Sequence, residues 1–249
     1  MRLLLLNANT DAAITARMAA LAAPMAGDSV TIEQATARFG ARYITTRAAA
    51  TIAAHATLDA FAAHLASAAA PPDAVLLACF GDPGLAALRE LAPVPVAGMA
   101  EASLLAAASL GGRIGVLTGG ERWVPMLGEY FAAIGLGGRT IIRAVPQTGA
   151  EIAADPDGAV AGLAREASAL VEDGAEVVIL GGAGLAGLSG RIAARVPVPV
   201  LDSLAAGLSQ AMMLARLGPS APSAGSYAAP PPSPVTGLSD ALSRLLAGG

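Results

Sequence analysis

One pattern occurs twice in this chain, and its spacing restricts the fold more than any other feature. Val75-Leu-Leu-Ala-Cys79-Phe-Gly-Asp-Pro-Gly-Leu85 is matched by Val178-Ile-Leu-Gly-Gly182-Ala-Gly-Leu-Ala-Gly-Leu188, an offset of 182 − 79 = 103. Val94-Pro95-Val96 returns as Val198-Pro199-Val200, an offset of 199 − 95 = 104. Asn7–Thr10 matches Thr118–Glu121 less closely. The period is far longer than a solenoid unit, so it points to duplication of a small α/β lobe. Each copy pairs a short apolar run with a Gly-rich turn. Such a run reads as a strand buried on both faces, as in a parallel sheet.

The remaining pattern supports two lobes. Arg2–Leu6 and Val30–Gln34 read as strands, and Thr10 or Asp11 can cap a helix running through Leu21. Thr36–Ile44 reads as irregular, and a helix follows over roughly Thr46–Ala69, stopped by Pro71-Pro72. After Cys79, Asp82 is a plausible N-cap and Pro83 suits the first turn of a helix over about Pro83–Leu91. Glu101–Leu110 reads as a helix and Arg113–Thr118 as the strand where the pattern restarts. Thr140–Val145 and Val196–Leu201 read as strands, Asp157–Asp173 and Ser203–Leu217 as helices. Gly218–Pro234 has no periodicity and reads as a linker or laid-down strap before a short helix over Gly237–Leu246. The expected fold is α/β: two pseudo-symmetric Rossmann- or flavodoxin-like lobes with parallel sheets, facing each other across a cleft. Residues 1–98 plus 208–249 form lobe one, and residues 99–207 form lobe two.

Composition narrows the function. Charged residues make up 14% and the net charge is −4, so no cationic face for nucleic acid is expected. One cysteine excludes an intrachain disulfide, and two histidines beside it make a zinc site improbable. Neither Gly-x-Gly-x-x-Gly nor a P-loop lysine is present, so nucleotide binding is not expected. The apolar run of Leu3–Leu6 is too short for a signal peptide, and no run reaches membrane-spanning length. The expectation is a soluble cytoplasmic protein with a small-molecule substrate.

The cysteine is the chemical focus. A free cysteine is usually an inert buried side chain. Cys79, however, follows a strand where ligands bind in open α/β sheets. A helix start nearby favours thiolate, and the charge of Asp82 opposes it. The lobe arrangement lines the cleft with Asn9, Thr10 and Cys79 from one side, and Thr118, Gly119 and Gly182 from the other.

Leu5-Leu-Asn-Ala-Asn-Thr10, Ala78-Cys-Phe-Gly-Asp-Pro-Gly-Leu85, Arg89-Glu90 with Pro95-Val96, Glu101-Ala102, and Asp173-Gly-Ala-Glu176 before Leu180-Gly181 resemble hydantoin racemases. These belong to the aspartate/glutamate racemase superfamily, and the resemblance runs to about Leu217. It implies two pseudo-symmetric lobes, no cofactor and a homo-oligomer. It also implies two cysteines facing the substrate's α-carbon, one removing a proton and one delivering a proton to the far face. Carried over, Cys79 takes the first cysteine's place. Asn9, Thr10 and Thr118, with backbone N–H groups after each cysteine position (Phe80, Gly81, Ala183), would hold the anion. Tyr43 matches a position near the family's substrate pocket, and Gly119 lies in the loop after Thr118.

The chain departs from the family pattern at the second cysteine, where Gly182 stands. Inversion at carbon needs an acid or base on each face. Arylmalonate decarboxylases of the same superfamily also use one cysteine, but keep the lobe-two one. Three readings stay open. Cys79 is the single thiol acid/base in one-sided carbanion chemistry, by proton transfer or decarboxylation. Alternatively it is the nucleophile of a hydrolase acting on a cyclic amide or imine. Or the chain is a true racemase with a non-cysteine second base, such as Tyr43. The uncharged cleft loops suggest an anion held by N–H and hydroxyl groups without an arginine clamp.

Overall fold

The computed structural model describes residues 1–248. Strands β1 (Arg2–Asn7), β2 (Thr31–Thr36), β3 (Ala74–Leu77) and β4 (Val96–Gly98) form one parallel sheet in the order β2-β1-β3-β4. Strands β5 (Ile114–Gly119), β6 (Thr140–Val145), β7 (Val177–Gly181) and β8 (Val200–Asp202) form a second, in the order β6-β5-β7-β8. The two orders correspond strand for strand, so the repeat in the sequence is a repeat in topology. This is the expected α/β architecture with two parallel sheets.

Helices make the crossovers that parallel strands require. They are α1 (Ala12–Ala26), α2 (Arg47–Ser67), α3 (Leu85–Leu91), α4 (Met99–Ala108), α5 (Trp123–Ala133), α6 (Gly149–Ala154), α7 (Pro156–Glu172), α8 (Ser189–Ala193), α9 (Ser203–Leu217) and α10 (Asp240–Leu246). Side chains start several of them. Asp11 accepts from the N–H groups of Ala13 and Ile14, and Asp202 from those of Leu204 and Ala205. Thr148 and Glu151 form a capping box on α6. Neither α6 nor α8 is expected from hydrophobic period. Both are short, and the Thr148/Glu151 spacing is the signal that could have located α6.

The central strands are covered on both faces, and alternate residues feed different cores. On β7, Val177 and Ile179 join a core shared by both lobes, whereas Val178 and Leu180 pack outward under α7 with Leu163 and Leu170. That two-sided burial explains why these strands read as continuous apolar runs. Helix α9 lies on β3, β4, α4 and α1, so the chain returns to the first sheet after completing the second. The approach is close enough that a Cβ on Gly207 would lie 2.7 Å from Leu76 Cδ1. Residues 218–234 carry no regular structure, and α10 packs on α2.

One local expectation fails. Asp82 and Pro83 do not start α3, which begins at Leu85 behind Gly84 in the left-handed region. The Asp82 carboxylate instead reaches across the sheet and accepts from the N–H groups of Ala100 (3.0 Å) and Glu101 (2.8 Å). It therefore caps α4, a partner 18 residues away that local spacing does not reveal.

Candidate active site

The carboxyl ends of both sheets face one cavity of about 510 Å³, a size suited to a small organic ligand. Cys79 lines it from the turn after β3. Facing it are Thr118 and Gly119, the last residues of β5, and the Gly181–Leu185 segment that begins at the end of β7. Asn9, Tyr43 and Phe80 complete the set of expected residues that the fold gathers there, with Gly182 and Ala183 on the opposite wall. Thr10 and Gly81 do not line the cavity. The Thr10 N–H turns away to the carbonyl of Ala41 (3.2 Å). Gly81 lies against Trp123, where an added Cβ would sit 2.8 Å from the indole ring.

Cys79 is a buried free thiol. Desolvation pushes its pKa up to about 12, and the negative charge of Asp82 adds to the effect. The thiolate-favouring influence expected from a nearby helix start is therefore outweighed. α3 begins six residues after Cys79, and its start carries no side-chain cap. Asp82 is itself fully enclosed. Burial raises its pKa to about 6, against the lowering influence of its hydrogen bonds from the Ala100 and Glu101 N–H groups and from the Tyr130 hydroxyl (2.9 Å). It holds a left-handed backbone conformation at φ 47°, the sole positive φ outside glycine among the described residues. A Cβ on Gly98 would meet Asp82 Oδ2 at 2.5 Å, so the carboxylate is closely fitted.

Asn9 is oriented from its own loop. Its Oδ1 accepts from Asn7 Nδ2 (2.9 Å) and from the Asp11 N–H (2.9 Å), which leaves Nδ2 to face the cavity. Asn7, quoted in the sequence motif but not among the expected site residues, is fully buried and also bonds Thr15. The Tyr43 hydroxyl accepts from the Gly149 N–H at the start of α6 (2.6 Å). Burial raises its pKa, so at neutral pH it is a protonated phenol able to donate, and a weak base. Trp123 donates Nε1–H to the Ile44 carbonyl (3.1 Å), pinning lobe two to the loop that carries Tyr43.

Glycines set how closely the walls approach. A side chain at Gly181 would overlap the Phe80 ring, and one at Gly184 would overlap the Gly149 carbonyl. Phe80 in turn packs edge-on against Phe131 (6.4 Å). Gly182 differs. An added Cβ would lie 3.6 Å from Leu185 Cδ1 and 4.0 Å from Thr118 Oγ1, ordinary packing distances. Its constraint is the backbone, at φ 131° and ψ 147°, which side chains rarely adopt.

Two arginines outside the expected site residues stand at the cavity, each bonded to protein groups. Arg17 from α1 and Arg42 from the irregular loop both line it. Arg17 Nη1 and Nη2 donate to the carbonyls of Ala183 and Ala186 (2.9 Å each). Arg42 Nε donates to Asp11 Oδ2 (2.9 Å). Neither is visible to sequence reasoning, because nothing in the local pattern distinguishes an arginine on an exposed helix face from one that crosses to a second lobe. Among the described residues no group of three His, Cys, Asp or Glu side chains could hold a metal ion. No helix there is long and apolar enough to cross a membrane.

Comparisons with known proteins show the family and support the fold. A family model described as Asp/Glu/Hydantoin racemase matches residues 3–211. A hydantoin racemase of Pseudomonas sp. (strain NS671) is 36% identical over 148 residues, 59% of this chain and 59% of that protein. The chain thus aligns with about six-tenths of that relative's length. The crystal structure of an allantoin racemase from Pseudomonas fluorescens superposes with a TM-score of 0.88 at 36% identity, covering 95% of this chain and 100% of that one. An allantoin racemase from Klebsiella pneumoniae gives 0.86 at 28% identity, covering 98% of each.

Proposed function

This chain belongs to the Asp/Glu/hydantoin racemase family, and on that premise we propose that it is an enzyme moving a proton at one face of an activated carbon, with Cys79 as the sole thiol acid/base. The substrate is a small hydantoin-like ring or a carboxylate whose reacting carbon adjoins a carbonyl. One observation carries the reading. Every titratable side chain that lines the cavity (Asp11, Arg17, Arg42, Tyr43, Cys79) comes from α1 or from the loops that follow β1, β2 and β3. The opposing segments Thr118, Gly119 and Gly181–Leu185 contribute no acid or base of their own, and the one phenol that reaches across to them, Tyr43, bonded to the Gly149 N–H, is a weak base.

The steps follow from these groups. The small fraction of Cys79 that has released its proton to solvent water acts as thiolate: its sulfur takes the proton from carbon, the C–H pair becomes a C=C bond and the carbonyl π pair moves onto oxygen. The resulting enolate oxygen is held by hydrogen-bond donors; Asn9 Nδ2, the Thr118 hydroxyl and the Tyr43 hydroxyl are the candidates, since all three residues line the cavity. The thiol returns a proton to the same face, after exchange with solvent. With a pKa of about 12, roughly one thiol in 10⁵ is ionised at pH 7. The resting enzyme therefore holds Cys79 as a proton donor. That state also suits protonation of a carbanion formed by loss of carbon dioxide.

The test is proton NMR in deuterated water with 5-substituted hydantoins, allantoin and arylmalonates, beside Cys79→Ala. Exchange at carbon without loss of optical rotation, abolished in Cys79→Ala, supports the proposal. Exchange with racemisation at equal rates would assign a second base, and ring opening without exchange would make Cys79 a nucleophile.

A further inference from the structure

The wall opposite Cys79 is a short 3-10 turn, Ala183–Leu185, in a glycine-rich segment whose Leu185 and Ala186 are buried and whose Gly182 N–H donates to Ser203 Oγ (3.3 Å). Between Gly182 and Gly187 three of six residues are glycine, and two of these have positive φ (131° and 87°). Such a segment is conformationally free unless external groups fix it. The strand register ends at Gly181, so the sheet does not supply the anchor.

A further anchor reaches it from α1, on the first sheet's side of the cleft. Arg17 extends from α1, and its two terminal nitrogens donate to the carbonyls of Ala183 and Ala186. Four residues further along the same helix face, Leu21 packs where a Cβ on Gly187 would lie, 3.3 Å from Leu21 Cδ2. The loop's far end is tied by Asp202, whose Oδ2 accepts from the Gly187 N–H (2.6 Å) while Oδ1 caps α9. The guanidinium's charge makes these bonds charge-assisted, and the side chain is half-buried. Its planar fork reaches two carbonyls three residues apart, which one ammonium does not reproduce.

We propose that Arg17 is a positioning residue: it latches the Gly182–Gly187 loop across the cleft and fixes how far the substrate-facing wall stands from Cys79. Its effect on turnover rests on the function proposed above. Its effect on the loop does not, which keeps the two separable.

Hydrogen–deuterium exchange on substrate-free protein reads the loop directly. In Arg17→Met, amides of residues 182–188 exchange about tenfold faster or more, since each charge-assisted bond contributes on that scale. Peptides from β5 stay protected. Arg17→Lys behaves like Arg17→Met in the loop, and it carries the test alone if the methionine variant does not fold. Millimolar guanidinium slows loop exchange in Arg17→Met towards the wild-type rate. With an identified substrate, kcat falls about 100-fold and KM changes little, as expected when the wall is misplaced but still binds substrate. Unchanged loop exchange in both variants overturns the latch. So does full restoration by lysine, or a rise in KM alone, which would make Arg17 a direct substrate ligand.

Discussion

Replacing Gly182 by cysteine separates backbone from chemistry at the wall facing Cys79. Space is available, because the new Cβ lies 3.6 Å from Leu185 and 4.0 Å from Thr118. The strain is in the main chain, at φ 131° and ψ 147°, which costs about 1–3 kcal/mol for a residue with a side chain. The smaller entropy of the unfolded chain offsets about 0.4–1 kcal/mol. At the middle of both ranges, about 2 against about 0.7 kcal/mol, the net loss of about 1.3 kcal/mol lowers Tm by roughly 3–5 °C in a protein of this size. Gly182→Ala carries the same backbone strain without the thiol. Calorimetry should therefore give similar drops for both variants, whereas only Gly182→Cys should gain racemisation, by about 10²–10⁴-fold for a second acid/base. Unchanged Tm in both variants would refute the backbone argument. Wild-type racemisation already equal to that of Gly182→Cys would refute the one-faced chemistry.

Cys79→Ser should reduce turnover by about 10²-fold or more while leaving far-ultraviolet circular dichroism unchanged. Cys79 alkylation by iodoacetamide should accelerate about tenfold per pH unit from about pH 7 to 10 without a plateau, because the pKa is about 12. The folded thiol holds its proton beyond the ordinary value of 9.0, so the stability tied to this group is complete below about pH 9. It is lost as pH rises towards 12, and wild-type Tm should fall relative to Cys79→Ala over that range. Asp82→Asn should speed Cys79 alkylation at fixed pH by removing the adjoining negative charge. The native Asp82 carboxyl binds its proton near pH 6, so wild type gains stability from this group as pH falls from about 6 towards 4. The asparagine variant should lack that gain in thermal melts.

The sheets were legible in the sequence because buried parallel strands must be short, apolar and bounded by turns. Val75–Leu77 and Val178–Leu180 have that form, and the repeat placed both at one cleft. Cys79 and Gly182 fell in the cavity for the same reason: each follows a strand end. Long-range partnerships were not legible. The Asp82 carboxylate skips the adjacent α3 and caps α4, since an aspartate's sequence neighbours do not say which helix end its carboxylate will meet. Arg17 is indistinguishable from a solvent-facing helix residue until α1 is set against the lobe-two loop. The glycines at 181 and 184 announced a tight turn, but their reason is close packing on Phe80 and Gly149, residues 101 and 35 positions away (181 − 80 and 184 − 149).

The most direct measurement follows a single enantiomer of a turned-over substrate in deuterated water, recording loss of the carbon-bound proton by NMR and optical rotation in the same sample. The account predicts deuterium incorporation at least tenfold faster than loss of rotation, with both absent in Cys79→Ala. Equal rates of exchange and racemisation would contradict it, and would require an acid or base on the wall that holds Gly182.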